Sequence, residues 1–264
     1  MKIIPKKSLG QNFLIDKNII EKICDAGNLS QNNTVLEIGP GTGNLTEFIL
    51  KKNPRKFYII EKDVRLIKNL SERFENKLII INEDILKYDL KLLSNSDLII
   101  FGNLPYNIST EILCKWVLNL DNTNFWFESL ILMFQKEVAD RILAKFNTSS
   151  YGRLSILANW KLDIVKICDI NQNCFFPRPK VESSLLFFKP KLKFFKLRRA
   201  KNLEKVTRIF FNHRRKMIKK PFNQLFNGNQ NIANKLQIDL NLRPQNLSMD
   251  TYYNLAREYE SLGS

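Results

Sequence analysis

Between residues 34 and 146 the apolar positions follow two alternating periods. Short runs at 34–38, 56–60, 78–82, 97–101 and 130–134 are almost wholly apolar or β-branched. Between them, at 44–52, 64–74, 110–119 and 135–146, apolar residues recur every three or four positions, the spacing of one helix face. Strand then helix, repeated, requires crossover connections. Crossovers cover both faces of a mainly parallel sheet, which explains why the strands read as unbroken apolar runs. The pattern predicts an α/β, Rossmann-like, doubly wound domain. It stops at the apolar run 184–188. Beyond Lys189-Pro190, residues 203–211, 232–237 and 251–260 have helical spacing and no strand is expected. The boundary is therefore placed between 188 and 189, with a small all-helical domain over 189–264.

Length agrees with two domains, since 264 residues at about 150 per domain leave room for one large and one small unit. Charge adds a direction. With 42 Lys and Arg against 26 Asp and Glu, the formal net charge is +16, which favours a polyanionic partner such as nucleic acid or an anionic membrane surface. The excess is localised. Residues 1–188 hold 25 basic and 21 acidic side chains, residues 189–220 hold 14 and 1, and residues 221–264 hold 3 and 4. Thirty-two residues carry most of the charge, more than solubility demands, and clustered cations that neutralise phosphates give salt-dependent affinity with little sequence readout. Arg198, Arg199, Arg214, Arg215 and Lys216 are the candidate contacts to such a partner.

Other classes are disfavoured by what the chain lacks. His213 is the single histidine, and Cys24, Cys114, Cys168 and Cys174 form no C-x2-C pair, so neither a zinc site nor a disulfide framework is expected. No signal-peptide apolar region or long uncharged apolar run is present, and a soluble, cytoplasmic protein with reduced thiols is expected.

The first strand leads into Glu37-Ile38-Gly39-Pro40-Gly41-Thr42-Gly43-Asn44. Glycines there permit a tight turn and a close backbone approach to a ligand, at the strand end where open α/β sheets bind nucleotides. The spacing is G-x-G-x-G, not the dinucleotide G-x-G-x-x-G. Asn44 stands where that motif has its last glycine, and Glu37 would gain nothing beside a pyrophosphate. Two further acids end the next strands: Glu61, 22 residues after Gly39 and placed to accept from ribose hydroxyls, and Asp84, placed to accept from an adenine amine. Three acids on a nucleoside whose third substituent tolerates a carboxylate fit S-adenosylmethionine better than NAD.

The fourth strand leads into Asn103-Leu104-Pro105-Tyr106. An exocyclic base amine is a weak nucleophile because its lone pair is delocalised. It needs acceptors for its N–H bonds as positive charge develops, and the Asn103 side-chain carbonyl and the Leu104 main-chain carbonyl are of that type. Pro105 restricts Leu104 to an extended conformation. Tyr106 offers a ring for a base, worth about 1–3 kcal/mol when stacked.

Six motifs in order resemble the ribosomal RNA adenine dimethyltransferases (rRNA adenine N6-methyltransferase family), most closely the bacterial KsgA type, along nearly the whole chain. They are Lys7 to Leu14, Glu37 to Thr42, Asn103 to Tyr106, Gln135 to Ala139, Phe175 to Ser183 and Phe211 to Lys216. The resemblance implies a class I methyltransferase sheet and in-line methyl transfer to small-subunit 16S RNA, without metal or covalent intermediate. It implies two transfers on each of two adjacent adenosines near the RNA 3′ end, a role in small-subunit biogenesis, and a monomer that meets its RNA within a pre-assembled subunit. It further implies that Asn12, Leu14, Gly39, Gly41, Glu61, Asp84 and Asn103 contact the cofactor, and that Phe175 closes the face of the target adenine opposite Tyr106. Leu104 and Gly10 separate the chain from the macrolide-resistance relatives, which read N-I-P-Y and lack that glycine. A signature starting close to Met1 argues against a mitochondrial leader. Lys62, where an apolar residue is usual, and Asn82-Glu83, in place of a glycine-containing pattern, depart from the family. An assembly or checkpoint factor acting mainly by binding immature subunits is the alternative reading.

Overall fold

The computed structural model describes residues 4–6, 9–93, 97–121 and 125–263. Its strands are β1 (Phe13–Leu14), β2 (Thr34–Ile38), β3 (Lys56–Glu61), β4 (Ile79–Asn82), β5 (Leu98–Asn103), β6 (Ser129–Gln135), β7 (Leu162–Ile170), β8 (Phe175–Phe176) and β9 (Ser183–Pro190). Its α-helices are α1 (Lys17–Ala26), α2 (Asn44–Lys51), α3 (Val64–Phe74), α4 (Ser109–Leu118), α5 (Lys136–Leu143), α6 (Arg153–Lys161), α7 (Ala200–Phe211), α8 (Lys219–Phe226), α9 (Gln230–Lys235) and α10 (Met249–Ser261). Among the described residues no helix is long and apolar enough to cross a membrane.

The chain divides into two compact units. The first comprises the described residues of Met1–Ile112, Thr123–Ala139 and Asp163–Pro190. Its seven-stranded sheet has the order β4-β3-β2-β5-β6-β9-β7. The five strands from β4 to β6 are mutually parallel, and β9 lies antiparallel to β6. The chain fills one side of β2 with β3 and β4, then returns to its other side with β5, so the strand order reverses between β2 and β5. Such a reversal opens a crevice at the carboxyl ends of the strands. Register aligns those ends: Ile38 is opposite both Ile60 and Gly102, and Glu61 is opposite Asn82.

The central strands are buried on both faces, with Val35, Leu36, Ile59, Leu98, Ile100 and Phe101 at most 1% exposed. Helix α3 shows how the covering layer forms: Leu66, Leu70 and Phe74 make one buried stripe, and the Asp63 carboxylate caps the first turn by accepting from Arg65 N. Helix α1 is capped in the same way by Asp16, which accepts from Ile19 N at 3.0 Å. A separate two-residue pairing joins β1 to β8, with Phe13 opposite Phe176 and Leu14 opposite Phe175.

The second unit comprises Leu113–Asn122, Asp140–Leu162 and Lys191–Ser264, of which 122 and 264 lie outside the described residues. It is therefore larger than the 189–264 segment expected from the charge shift. The reason lies in α6, where Leu154, Ile156, Leu157, Ala158 and Trp160 are all buried. A helix buried on nearly every side cannot sit at a solvent boundary, and this one packs with α7 and α10. The Trp160 indole donates to Phe195 O at 2.8 Å and Tyr253 Oη to Ile156 O at 3.3 Å. Tyr252 meets Phe210 edge to face, with ring centroids 5.6 Å apart. The Glu260 carboxylate accepts from the amides of Arg198 and Arg199, at 3.1 and 2.8 Å, and so caps α7, whose own N-cap residue has no side-chain bond.

Candidate active site

A cleft of about 300 Å³ lies at the carboxyl ends of the first unit's strands, lined by residues 9–14, 37–42, 44–45, 60–62, 83–86 and 102–108 over a floor of Ile131, Met133 and Leu185. The cofactor residues expected from sequence, Asn12, Leu14, Glu37, Gly39, Gly41, Glu61, Asp84 and Asn103, all line it, as do Leu104, Pro105 and Tyr106. Lys7 and Ser8 of the first motif lie outside the described residues.

The glycine turn leaves β2 and enters α2. A Cβ on Gly41 would lie 2.8 Å from the Phe13 ring, and φ there is +59°. Only glycine lets that ring lie against the loop. Gly43, with φ +83°, has Phe74 and Leu70 of α3 within 2.6 and 2.8 Å of the position of its missing Cβ. Gly43 thus provides the close helix contact that the dinucleotide motif obtains one position later. Asn44 is free for another task, and its amide donates to Leu14 O at 2.7 Å, fastening β1 to the start of α2.

The three acids have different environments. Glu37 is 3% exposed and accepts from Thr46 Oγ1 at 2.6 Å; burial pushes its carboxyl up to about 8, so it holds a proton at neutral pH. The expected fixed negative charge there is correspondingly a titratable one. Glu61 closes β3, and its Oε1 accepts from the amides of Lys62 and Asp63, each at 2.8 Å. Burial raises its pKa, and the amide bonds act in the opposite sense. Asp84 accepts from Lys62 Nζ and Leu86 N, at 2.8 and 3.0 Å, and the Lys62 ammonium holds it below the usual carboxylate range. Lys62, the departure from the family pattern, therefore has a defined partner. Sequence reasoning gave Asp63 no role. It receives Arg65 and also Gln11 Nε2 at 3.0 Å, which holds the N-terminal segment against the cleft, and the Arg65 guanidinium keeps it well below the ordinary carboxylate range.

At the end of β5 the Asn103 Nδ2 donates to Asn12 O at 2.9 Å. A carbonyl only accepts, so this bond fixes which way the amide faces and leaves Oδ1 as the acceptor presented elsewhere. Pro105 O accepts from Ile108 N and Ser109 N, so the turn into α4 begins one residue beyond Leu104. The Leu104 side chain is buried. Tyr106 is held at its tip, with its hydroxyl 2.6 Å from Ser183 Oγ, and Ser183 is fully buried as the first residue of β9. Burial raises the phenol pKa, which keeps the hydroxyl protonated. Ser183 was not among the expected site residues; its place in the Phe175 to Ser183 motif was the available signal.

Phe175 departs from expectation. It is 3% exposed, belongs to the core cluster with Leu14, Ile20 and Leu185, and is not among the described residues that line the cleft. Pairing with Leu14 and the two-residue period of β8 turn it into the core, and its neighbour Phe176 is the exposed ring.

In the second unit the expected cations fall into two groups. Arg198, Arg199, Arg215 and Lys216 are exposed. Arg214 is only partly exposed, and its guanidinium donates to the carbonyls of Thr148 and Ser149, a bracing role. His213 is exposed.

Comparison with known proteins agrees with this arrangement. The family model described as ribosomal RNA adenine dimethylase matches residues 5–261. Ribosomal RNA small subunit methyltransferase A of Pelagibacter ubique (strain HTCC1062) is 61% identical over 257 residues, covering 97% of each chain. The protein of that name from Ehrlichia ruminantium (strain Gardel) is 42% identical over 260 residues, covering 96% of this chain and 97% of its own. Among solved structures, a dimethyladenosine transferase from Plasmodium falciparum superposes with a TM-score of 0.78 at 27% identity, covering 95% of this chain and 98% of that one. With its class I methyltransferase sheet, its strand-end acids and its Asn103 to Tyr106 turn, this chain belongs to the ribosomal RNA adenine dimethylase family.

Proposed function

We propose that the chain methylates the exocyclic amine of adenosine in 16S small-subunit ribosomal RNA, twice on each of two adjacent adenosines near the 3′ end, as a step in small-subunit biogenesis. The observation that carries this reading is the fixed Asn103 amide, tethered through Nδ2 with Oδ1 left to accept, beside a Tyr106 ring pinned by Ser183.

The residues of the cleft fit S-adenosylmethionine. Glu61 has the acceptor character for ribose hydroxyls and Asp84 for an adenine amine, and the missing Cβ of Gly41 lets the loop and Phe13 lie close together. Glu37 is able to ionise toward a cationic centre. When bound, S-adenosylmethionine supplies an electrophilic methyl group on a sulfonium. The protein's part is to hold the amine. Asn103 Oδ1 and Leu104 O accept its N–H bonds, favouring the positive charge that develops on nitrogen. A monomethylated amine retains one N–H, so the same acceptors serve the second transfer. Tyr106 stacks on the base, which must leave its neighbours to enter the cleft. Arg198, Arg199, Arg215 and Lys216 contact RNA phosphates.

Asn103→Ala tests the reading. Transfer to undermethylated small subunits is expected to be abolished with RNA binding largely intact; undiminished methylation would remove the proposed role of Asn103.

A further inference from the structure

The two phenylalanines of β8 point to opposite faces, Phe175 into the core and Phe176 outward at 53% exposure. Single exposed apolar side chains are ordinary on protein surfaces, so the exposure alone decides nothing. Position does. Phe176 is opposite Phe13, and in an antiparallel pair facing Cα atoms lie about 4.5–5.5 Å apart. Phe13 lines the cleft, and the carbonyl of the residue before it, Asn12, holds the Asn103 amide at 2.9 Å. Beyond Phe176 the chain returns to the same cleft, because Ser183 Oγ lies 2.6 Å from the Tyr106 hydroxyl. The segment 176–183 therefore begins and ends on partners that line the cleft.

Between these anchors stand Arg178 and Lys180, both exposed. One side chain braces them: Gln172 Oε1 accepts from Arg178 Nε and Gln172 Nε2 donates to Lys180 O, each at 3.0 Å. Pro177 and Pro179 alternate with the cations and restrict the backbone, so little ordering is left for a binding event. The acid of the segment, Glu182, is engaged by Lys136 Nζ at 3.0 Å. An exposed ring followed by two cations on a braced segment has the composition of a single-strand grip, in which bases stack on the aromatic face and the backbone follows the cations.

We propose that residues 176–182 form an RNA grip beside the cleft: Phe176 stacks on a base adjoining the adenosine held by Asn103 and Tyr106, and Arg178 and Lys180 take the neighbouring phosphates. This rests on the reading that the cleft methylates RNA adenosine.

Steady-state methylation of undermethylated small ribosomal subunits, with labelled S-adenosylmethionine, tests it. Label transferred by the unaltered protein separates the two claims: with none, the methylation reading falls and the grip with it; with label, the variants decide the grip alone. Phe176→Ala is expected to raise the KM for subunits about tenfold, within the range of one lost base stack, with kcat, the KM for the methyl donor and the melting temperature unchanged. Phe176→Trp restores the KM and Phe176→Leu does not. The Arg178→Ala/Lys180→Ala double variant flattens the log–log salt dependence of subunit binding by about 0.7 for each phosphate that is no longer neutralised. An unchanged subunit KM in Phe176→Ala, or recovery by leucine equal to that by tryptophan, would overturn the proposal.

Discussion

The most informative single residues in the cleft are those whose state is set by neighbours distant in sequence. Glu37 holds its proton up to about pH 8 because it is buried. A cationic ligand favours the ionised form, so S-adenosylmethionine binding should tighten severalfold between pH 6.5 and 9, and the dependence should vanish in Glu37→Gln; titration calorimetry across that range checks both. Stability has the opposite sign. The folded carboxyl retains a proton that the unfolded one loses above its ordinary value near 4.5, so its contribution is complete below that pH and is lost as pH rises toward 8. The melting temperature of Glu37→Gln relative to the unaltered protein should therefore rise from pH 5 to pH 8. Asn103 was legible as a candidate because an amide before Leu-Pro-Tyr at a strand end suits an amine substrate. Its orientation was not legible, since it depends on a carbonyl 91 residues away. Phe175 shows the same limit: adjacent phenylalanines look equivalent in sequence, and only pairing with β1 decides which is buried.

At the scale of elements, the central parallel strands were legible because burial on both faces makes them continuously apolar, and α3 because its stripe is periodic. Helix α6 was not, since a helix buried on every side has no amphipathic period to read. The run 184–188 was legible as the apolar end of the first domain, and the first unit does end at Pro190; its pairing as β9, inserted antiparallel beside β6, was not legible. That insertion matters chemically, because the first residue of β9 pins Tyr106. If the Tyr106–Ser183 bond orients the ring, Tyr106→Phe and Ser183→Ala should each lower kcat about fivefold to tenfold, the effect of losing roughly 1 kcal/mol of buried hydrogen bonding. The double variant should be no worse than the more affected single one. Effects that multiply would show that the two residues act separately.

For the whole molecule, the excess charge was legible as a count and a position, and the segment 189–220 indeed carries many exposed cations. Composition did not separate cations that face solvent from those that hold the chain together. Arg214→Ala removes the guanidinium that binds two carbonyls and should lower the melting temperature by about 3–8 °C. An Arg215→Ala/Lys216→Ala variant should melt within about 1 °C of the unaltered protein and reduce the salt slope of RNA binding by about 0.7–0.9 for each phosphate left without its cation. Thermal scans beside binding isotherms at several salt concentrations distinguish the two classes. The central claim, methylation of adjacent adenosines in small-subunit RNA, is tested most directly by incubating the protein with labelled S-adenosylmethionine and undermethylated small subunits and mapping the modified nucleotides. The account predicts N6,N6-dimethyladenosine at two adjacent positions near the 3′ end of the 16S RNA; label in large-subunit RNA, or on a nucleotide other than adenosine, would contradict it.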